Sequence, residues 1–247
     1  METSKKKCSR KTKIIVIVVA VVILALLAGC LYLLNPYRAD GTATAALMPT
    51  DTISVEADGK YAIFAPEEAH AGLIFYPGCR VEYTAYAPLM QEFAAQGYFC
   101  VIVNMPLNFP LFGVNAAADI LEKYPDIPEW YIAGHSLGGT AAARYVSKYP
   151  DGISGLLLFG SYTDTDLKEQ DLDVLCVYGS EDNIMNRPAY ENGKSLVPSN
   201  FAELCIEGGN HAGFGNYGAQ SGDGEAFISQ AKQIETTVMF CTEQLGD

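Results

Sequence analysis

From residue 52 to residue 240 the chain alternates short apolar runs with segments whose apolar residues recur at helical spacing. The apolar runs are four to six residues long, and glycine, proline, asparagine or aspartate bounds most of them, which is typical of β-strands. Eight strands are predicted, at residues 52–55, 61–64, 73–76, 98–103, 129–133, 155–159, 174–178 and 201–206. Four helices are predicted, at residues 83–95, 116–124, 136–148 and 224–240.

The order of these elements predicts the architecture. Strands that alternate with helices favour an α/β fold with a mostly parallel central sheet and helices on both faces. The first two strands are joined at Asp58-Gly59, a hairpin signal, and are expected to pair antiparallel. Only about 14 residues separate Phe159 from Val174, a connection too short for a lid domain, so no large lid is expected.

The N-terminal pattern differs from the rest of the chain. Residues 14–34 form an uncharged apolar run of 21 residues, long enough to cross a bilayer as a helix. The basic residues before it predict a cytoplasmic N-terminus, a single membrane pass and an extracytoplasmic domain. Those basic residues are Lys5, Lys6, Lys7, Arg10, Lys11 and Lys13.

Two interpretations of this segment stay open. Leu27-Ala28-Gly29-Cys30 resembles a lipobox, which would make Cys30 the lipidated residue of a cleaved lipoprotein. The apolar run continues past Cys30, however, so a retained signal anchor is favoured. The predicted organisation is a cytoplasmic stub and anchor at 1–35, a Pro/Ala/Thr-containing linker at 36–50, and one domain at 51–247.

Charge and cysteine usage exclude several function classes. Beyond residue 35 the chain carries 10 basic and 28 acidic residues, a net charge of −18. Such a domain has no electrostatic footprint for nucleic acid and is repelled by anionic headgroups. The seven cysteines form no Cys-x-x-Cys pair, so neither a zinc site nor a redox motif is indicated. Cys100, Cys176 and Cys205 fall within predicted strands and are expected to pack as small apolar groups.

The chemistry centres on Gly134-His135-Ser136-Leu137-Gly138, a Gly-x-Ser-x-Gly motif between a predicted strand and a predicted helix. A sharp strand-to-helix turn exposes the Oγ of such a serine, and the flanking glycines allow the two elements to approach closely. Ser136 is therefore the candidate nucleophile. The amide of Leu137, at the N-terminus of the new helix, is a candidate oxyanion donor.

A serine nucleophile needs a base and a carboxylate that orients it. Of the three histidines, His135 adjoins Ser136, and His70 precedes the strand at 73–76, at the far end of the sheet. His211 is the remaining candidate for the base, because it follows the last predicted strand at the carboxyl edge of the sheet, the same edge as Ser136. Asp182 is the candidate acid, with Glu181 as the alternative.

The turn after Tyr76 should supply the second oxyanion donor, and the backbone amide of Cys79 is the candidate. Its thiol is not expected to act as a nucleophile, since no histidine is assigned to it. Arg80 and Glu82, which follow in the chain, are expected to have surface roles rather than to line the entrance to the site.

These residues resemble the α/β-hydrolase superfamily over roughly residues 50–245, and within it small, lidless, membrane-anchored bacterial hydrolases related to dienelactone hydrolase. The resemblance implies that Ser136, Asp182 and His211 are nucleophile, acid and base. It also places Met105 and Phe109 on an apolar wall near the serine, and Phe214 and Tyr217 on the opposite wall. The stretches that carry it are Phe75-Tyr76-Pro77-Gly78, Asn104-Met105-Pro106-Leu107-Asn108, the serine motif, Gly179-Ser180-Glu181-Asp182 and Asn210-His211-Ala212-Gly213-Phe214-Gly215. Cys79 departs from the pattern, because such proteins often carry glycine there.

The sequence thus predicts a serine hydrolase that cleaves a carboxylic ester or a related acyl bond through an acyl-enzyme, without a metal or organic cofactor. The expected substrate is a small-molecule or envelope acyl compound, and the expected membrane contact is the N-terminal helix. Two alternatives are an envelope acyltransferase on the same fold and a non-catalytic binding module that keeps the hydrolase frame.

Overall fold

The computed structural model describes residues 9–33 and 35–246 of the chain. Helix α1 (Arg10–Leu33) precedes the domain, and residues 10–32 of it are exposed. An 18-residue stretch within Arg10–Tyr32 has a mean hydropathy of 3.4, and none of that stretch is buried within the protein, so the helix is long and apolar enough to cross a membrane. Lys5, Lys6 and Lys7 of the predicted basic flank lie outside the described residues.

One eight-stranded sheet forms the centre of the domain. In space its strands run in the order β1-β2-β4-β3-β5-β6-β7-β8. β1 pairs antiparallel with β2, and β2 with β4, while every other pair is parallel. This confirms the predicted fold class. The strands are β1 (Ile53–Ala57), β2 (Tyr61–Pro66), β3 (Ala71–Tyr76), β4 (Tyr98–Val103), β5 (Trp130–His135), β6 (Gly155–Phe159), β7 (Asp173–Gly179) and β8 (Phe201–Ile206).

Helices cover both faces of the sheet, because its central strands are apolar on both sides. In β3 the side chains alternate between two cores: Leu73 and Phe75 pack with one set of helices, and Ile74 and Tyr76 with the other. α3 (Ala87–Ala95) and α7 (Gln230–Leu245) belong to the first core. The second core contains residues of α4 (Ala116–Lys123), α5 (Leu137–Val146) and α6 (Arg187–Lys194).

The helices differ from the predicted ones where capping decides the boundary. α6 was not predicted, because its polar sequence offers few apolar positions, yet the Asn186 side chain caps it by accepting from the Ala189 amide at 3.1 Å. α7 begins at Gln230 rather than residue 224, since Ser229 caps it. The predicted helix at 83–95 is a 3₁₀ turn, Tyr83–Tyr86, followed by α3.

Two further segments bear on the site. Residues 36–50, predicted as a linker, include a short helix, α2 (Gly41–Ala45), and pack on the domain with Ala43 buried. The fully described connection 160–172 between β6 and β7 contains no helix or strand, in agreement with the absence of a lid there. Cys205 is a correction: it is exposed on the edge strand β8, whereas Cys100 and Cys176 are buried as expected.

Candidate active site

Ser136 occupies a strained turn between β5 and α5. Its backbone has φ 54° and ψ −129°, a region that side chains disfavour and that raises the serine out of the strand. The Ser136 amide donates to the Phe159 carbonyl at 2.9 Å, and the Ser161 hydroxyl donates to the Ser136 carbonyl at 2.6 Å. A Cβ on Gly138 would collide with the carbonyl oxygens of Tyr76 and Pro77, so the turn needs glycine there.

Asp182 and His211 form a buried hydrogen-bonded pair at the carboxyl edge of the sheet. Oδ2 of Asp182 accepts from Nδ1 of His211 at 2.8 Å. The other carboxylate oxygen accepts from the amides of Ile184 and Met185 at 2.9 and 2.8 Å, which orients the carboxylate. Glu181, the alternative acid, accepts from the Ser180 hydroxyl instead.

Ser136 and His211 line one cavity of about 170 Å³, together with Leu137, Ser161 and Ile184. Nε2 of His211 is buried and has no hydrogen-bond partner among the described residues. Because Asp182 accepts the Nδ1 proton, Nε2 is the nitrogen left to accept a proton from a group in the cavity. The geometry therefore provides a base whose basic atom is unengaged.

The two candidate oxyanion donors lie at the N-terminus of α5 and in the turn after β3. Neither the Leu137 amide nor the Cys79 amide donates to an acceptor within the described part of the chain. The neighbouring Gly78 amide is engaged, since it donates to the Tyr86 hydroxyl at 3.0 Å. Burial raises the pKa of the Cys79 thiol and so disfavours the thiolate, and the smaller effect of Arg80 acts in the opposite direction.

A second buried histidine, His135, lies against the site, although the sequence assigns it no catalytic role. Nδ1 of His135 lies 2.8 Å from the hydroxyl of Tyr86. Burial lowers the pKa of His135 well below its ordinary value, and the nearby His211 lowers it further, so His135 is neutral. The Tyr86 hydroxyl thus links the turn after β3 to the residue that precedes the nucleophile.

The loop that carries His211 is fixed by residues the sequence did not single out. The Asp223 carboxylate accepts from the amides of His211 and Ala212 at 3.3 and 2.8 Å. Gln233 of α7 makes two hydrogen bonds to the backbone of Asn210, accepting at 3.0 Å and donating at 2.8 Å. No local sequence signal marks these residues, because their partners are 10 or more positions away.

The four residues expected to contact substrate lie elsewhere. Phe214 is fully buried and stacks on Phe159, with ring centroids 5.7 Å apart, and Tyr217 packs in the same core. Met105 is buried in the core on the other face of the sheet, and Phe109 packs on Phe112. None of the four lines the cavity beside Ser136.

No group of three or more His, Cys, Asp or Glu side chains within residues 9–33 and 35–246 is placed to hold a metal ion. Nor does the described cavity contain a cluster of cationic side chains that would bind a phosphorylated cofactor. The Ser136 hydroxyl and the His211 imidazole belong to residues that line the cavity, and the Asp182 carboxylate is hydrogen-bonded to that imidazole.

Comparison with known proteins assigns the chain to a family. The model of the alpha/beta hydrolase family matches residues 72–235, which include Ser136, Asp182 and His211. A proline iminopeptidase of Arabidopsis thaliana is 31% identical over 80 residues, or 32% of this chain. The match spans only 20% of the length of that relative.

Solved structures share the fold at low identity. A predicted CIB-like hydrolase from Thermoplasma acidophilum superposes with a TM-score of 0.58 at 14% identity, covering 77% of this chain and 99% of its own. Est1E from Butyrivibrio proteoclasticus gives 0.56 at 15% identity, covering 80% and 100%. The carboxylesterase CesB from Bacillus subtilis gives 0.51 at 11% identity, covering 74% and 91%.

Proposed function

Because the chain belongs to the alpha/beta hydrolase family, we propose that it is a serine hydrolase that cleaves a carboxylic ester through an acyl-enzyme. The observation that carries this proposal is the buried Asp182–His211 pair: Nε2 of His211 has no hydrogen-bond partner among the described residues, and His211 lines the same cavity as Ser136 at its strained turn. The carboxylesterase CesB has a similar fold, and this likeness supports ester hydrolysis as the reaction.

The proposed reaction has two stages. Oγ of Ser136 bonds to the ester carbonyl carbon while its proton passes to Nε2 of His211, and the amides of Leu137 and Cys79 stabilise the oxyanion. Collapse breaks the ester C–O bond, and the leaving alcohol takes the proton from His211. Water then attacks the acyl-enzyme, giving its proton to His211, and Ser136 is released with the carboxylic acid.

Labelling of the full chain in detergent micelles with a fluorophosphonate tests this proposal. We expect the probe to modify Ser136, with loss of fluoride, and Ser136→Ala to abolish labelling while the unfolding temperature is unchanged. Ser147→Ala is the matched control, because Ser147 lies beyond the far end of α5 and its hydroxyl donates to the Arg144 carbonyl. A folded wild-type protein that takes no label would overturn the hydrolase proposal in favour of a binding module.

We further propose that α1 is retained as a membrane anchor with the domain outside the cytoplasm. The apolar, unburied surface of α1 and the basic residues Arg10, Lys11 and Lys13 at its start support this orientation. Carbonate washing of membranes that contain the full chain should leave it in the pellet, for wild type and Cys30→Ala alike. Release of Cys30→Ala alone would favour the lipoprotein instead.

A further inference from the structure

The end of α1 is held by a residue of the turn that follows β3. Cζ of Arg80 lies 3.7 Å from the centroid of the Tyr32 ring. A guanidinium nitrogen of Arg80 donates to the backbone carbonyl of Asn35 at 2.7 Å. Arg80 directly follows Cys79, so the anchor ends beside the turn that carries a candidate oxyanion donor.

The segment after α1 continues this contact along the backbone. The Tyr37 amide donates to the Arg80 carbonyl at 2.7 Å, and the Glu82 amide donates to the Tyr37 carbonyl at 2.9 Å. The Glu82 carboxylate accepts from the Ala39 amide at 3.0 Å. Arg80 and Glu82 were expected to have surface roles. Instead they connect the segment after α1 to the carboxyl edge of the sheet, where the candidate site lies.

A second contact reaches the loop of the candidate base. The ring of Tyr37 packs on that of Tyr217, with centroids 5.6 Å apart, and its hydroxyl accepts from the Ser221 amide at 3.3 Å. Two loops at the carboxyl edge, one after β3 and one after β8, thus hold the same segment. This arrangement determines which edge of the sheet lies next to the anchor.

The length of the apolar run indicates where the Arg80–Tyr32 contact lies relative to a bilayer. The apolar part of α1, residues 14–33, spans about 30 Å as a helix, close to the roughly 30 Å hydrocarbon thickness of a bilayer. Tyr32 then falls at the outer interface, where tyrosine is enriched. Arg80 stacks on Tyr32 and therefore lies at the same level, at the membrane surface.

Exposed apolar side chains lie on the neighbouring loop at this edge. The Arg80 amide donates to the Asn108 carbonyl at 2.7 Å, which ties the turn after β3 to the two 3₁₀ turns after β4, Pro106–Asn108 and Pro110–Phe112. In these turns Leu107 is 45% exposed and Phe112 is 58% exposed. Large apolar side chains beside a membrane anchor are suited to the interface of the bilayer.

We propose that the carboxyl edge of the sheet faces the outer surface of the bilayer, with Leu107 and Phe112 inserted into the interface. The substrate is then an ester whose acyl group is presented by an amphiphile resident in that membrane. The contact is apolar rather than electrostatic, because the net charge of −18 beyond residue 35 opposes binding to anionic lipid. The substrate class rests on the proposed hydrolase function, whereas the orientation does not.

Quenching by brominated lipid tests the orientation. The full chain with Phe112→Trp is reconstituted into phosphatidylcholine vesicles with or without dibromo-phosphatidylcholine. We expect tryptophan emission to fall about two-fold with bromine, because an interfacial side chain lies about 5–10 Å deep. The native Trp130 is 5% exposed and serves as the unquenched background. Leu107→Trp provides a second probe if Phe112→Trp does not fold.

Tyr149→Trp is the matched control. Tyr149 is 51% exposed, but it follows α5 and precedes β6, so it lies at the amino edge of the sheet, about 20 Å from the carboxyl edge. We expect its emission to be the same with and without bromine. Equal emission of Phe112→Trp, or quenching of Tyr149→Trp to the same extent, would overturn the orientation.

A rate comparison tests the substrate class. We expect Phe112→Ser to cleave a vesicle-borne ester about ten-fold more slowly than wild type, since the edge loses an interfacial anchor, and to cleave soluble p-nitrophenyl acetate at the wild-type rate. Equal losses on both esters would overturn the substrate class. A wild type that cleaves neither ester would overturn the hydrolase proposal and with it the substrate class, while the quenching result still decides the orientation.

Discussion

The imidazole of His135 packs against that of His211, with ring centroids 4.4 Å apart and both rings buried. His135 directly precedes the candidate nucleophile, and His211 is the candidate base, 76 positions later in the chain. Through this contact the last residue of β5 packs against the candidate base and helps to fix the position of its ring. The hydroxyl of Tyr86 extends this support to the turn after β3 through its contacts with His135 and Gly78.

Tyr86→Phe tests this link. The substitution leaves the Gly78 amide and Nδ1 of His135 buried without a partner, which costs about 1–3 kcal/mol of unfolding free energy. The unfolding temperature should fall by about 2–4 °C for each kcal/mol, and the rate of fluorophosphonate labelling should fall as well. Tyr149→Phe, at a half-exposed tyrosine, should change neither quantity. Wild-type values for Tyr86→Phe would show that the link is unimportant.

The buried His135 predicts how stability depends on pH. Its pKa is lowered in the folded protein, so the unfolded chain binds more protons near pH 6. Stability from this residue is therefore present above the unfolded pKa of about 6.5 and is lost as pH falls below it, with a slope approaching about 1.4 kcal/mol per pH unit. Thermal unfolding between pH 7.5 and 5.0 should show a shallower decline for His135→Asn. Parallel declines would contradict this assignment.

The two adjacent carboxylates are predicted to have very different effects on activity. In Asp182→Asn the amide group facing His211 donates to Nδ1, which places the remaining ring proton on Nε2 and blocks the base. We expect kcat for ester hydrolysis to fall about 10³–10⁴-fold. Glu181→Gln is the control, because that side chain contacts Ser180. A larger loss in Glu181→Gln would reverse the assignment of the acid.

Asp223 is predicted to position the base without contacting substrate. Asp223→Ala removes the acceptor of the His211 and Ala212 amides, so the loop is held less firmly. A displacement of the base by about 1 Å should lower kcat about 10²-fold with little change in KM. Glu225→Ala, at an exposed neighbour, should leave kcat unchanged. A change in KM alone would indicate a binding role instead.

The close approach at Gly138 predicts a folding defect. A Cβ at Gly138 would displace the carbonyl groups of Tyr76 and Pro77, and overpacking of this kind costs about 1–3 kcal/mol. We expect Gly138→Ala to lower the unfolding temperature by several degrees. Gly41→Ala is the control, because nothing lies within 4 Å of a Cβ there and the helix α2 favours alanine. An unfolding temperature unchanged in both would show that the turn is adaptable.

Local patterns in the sequence were sufficient to predict the strands of the sheet. Each of the eight predicted strands is present, because a short apolar run bounded by turn residues has few other low-energy conformations. The Gly-x-Ser-x-Gly motif likewise indicated the strained turn at Ser136, since both glycines are needed by adjacent elements. Helix boundaries were less accurate, because the caps at Asn186 and Ser229 decide them.

Contacts between distant residues were decided only by the tertiary structure. His135 packs on His211, Asp223 accepts from the His211 amide, and Phe214 is buried against Phe159. Each of these contacts joins residues that are far apart in the chain, and no periodicity in the sequence predicts such pairs. The same holds for the placement of Arg80 on Tyr32. The sequence by itself therefore determined the order of elements and the residue types available for chemistry. The fold decided which of those residues meet, because packing and hydrogen bonding act through space rather than along the chain.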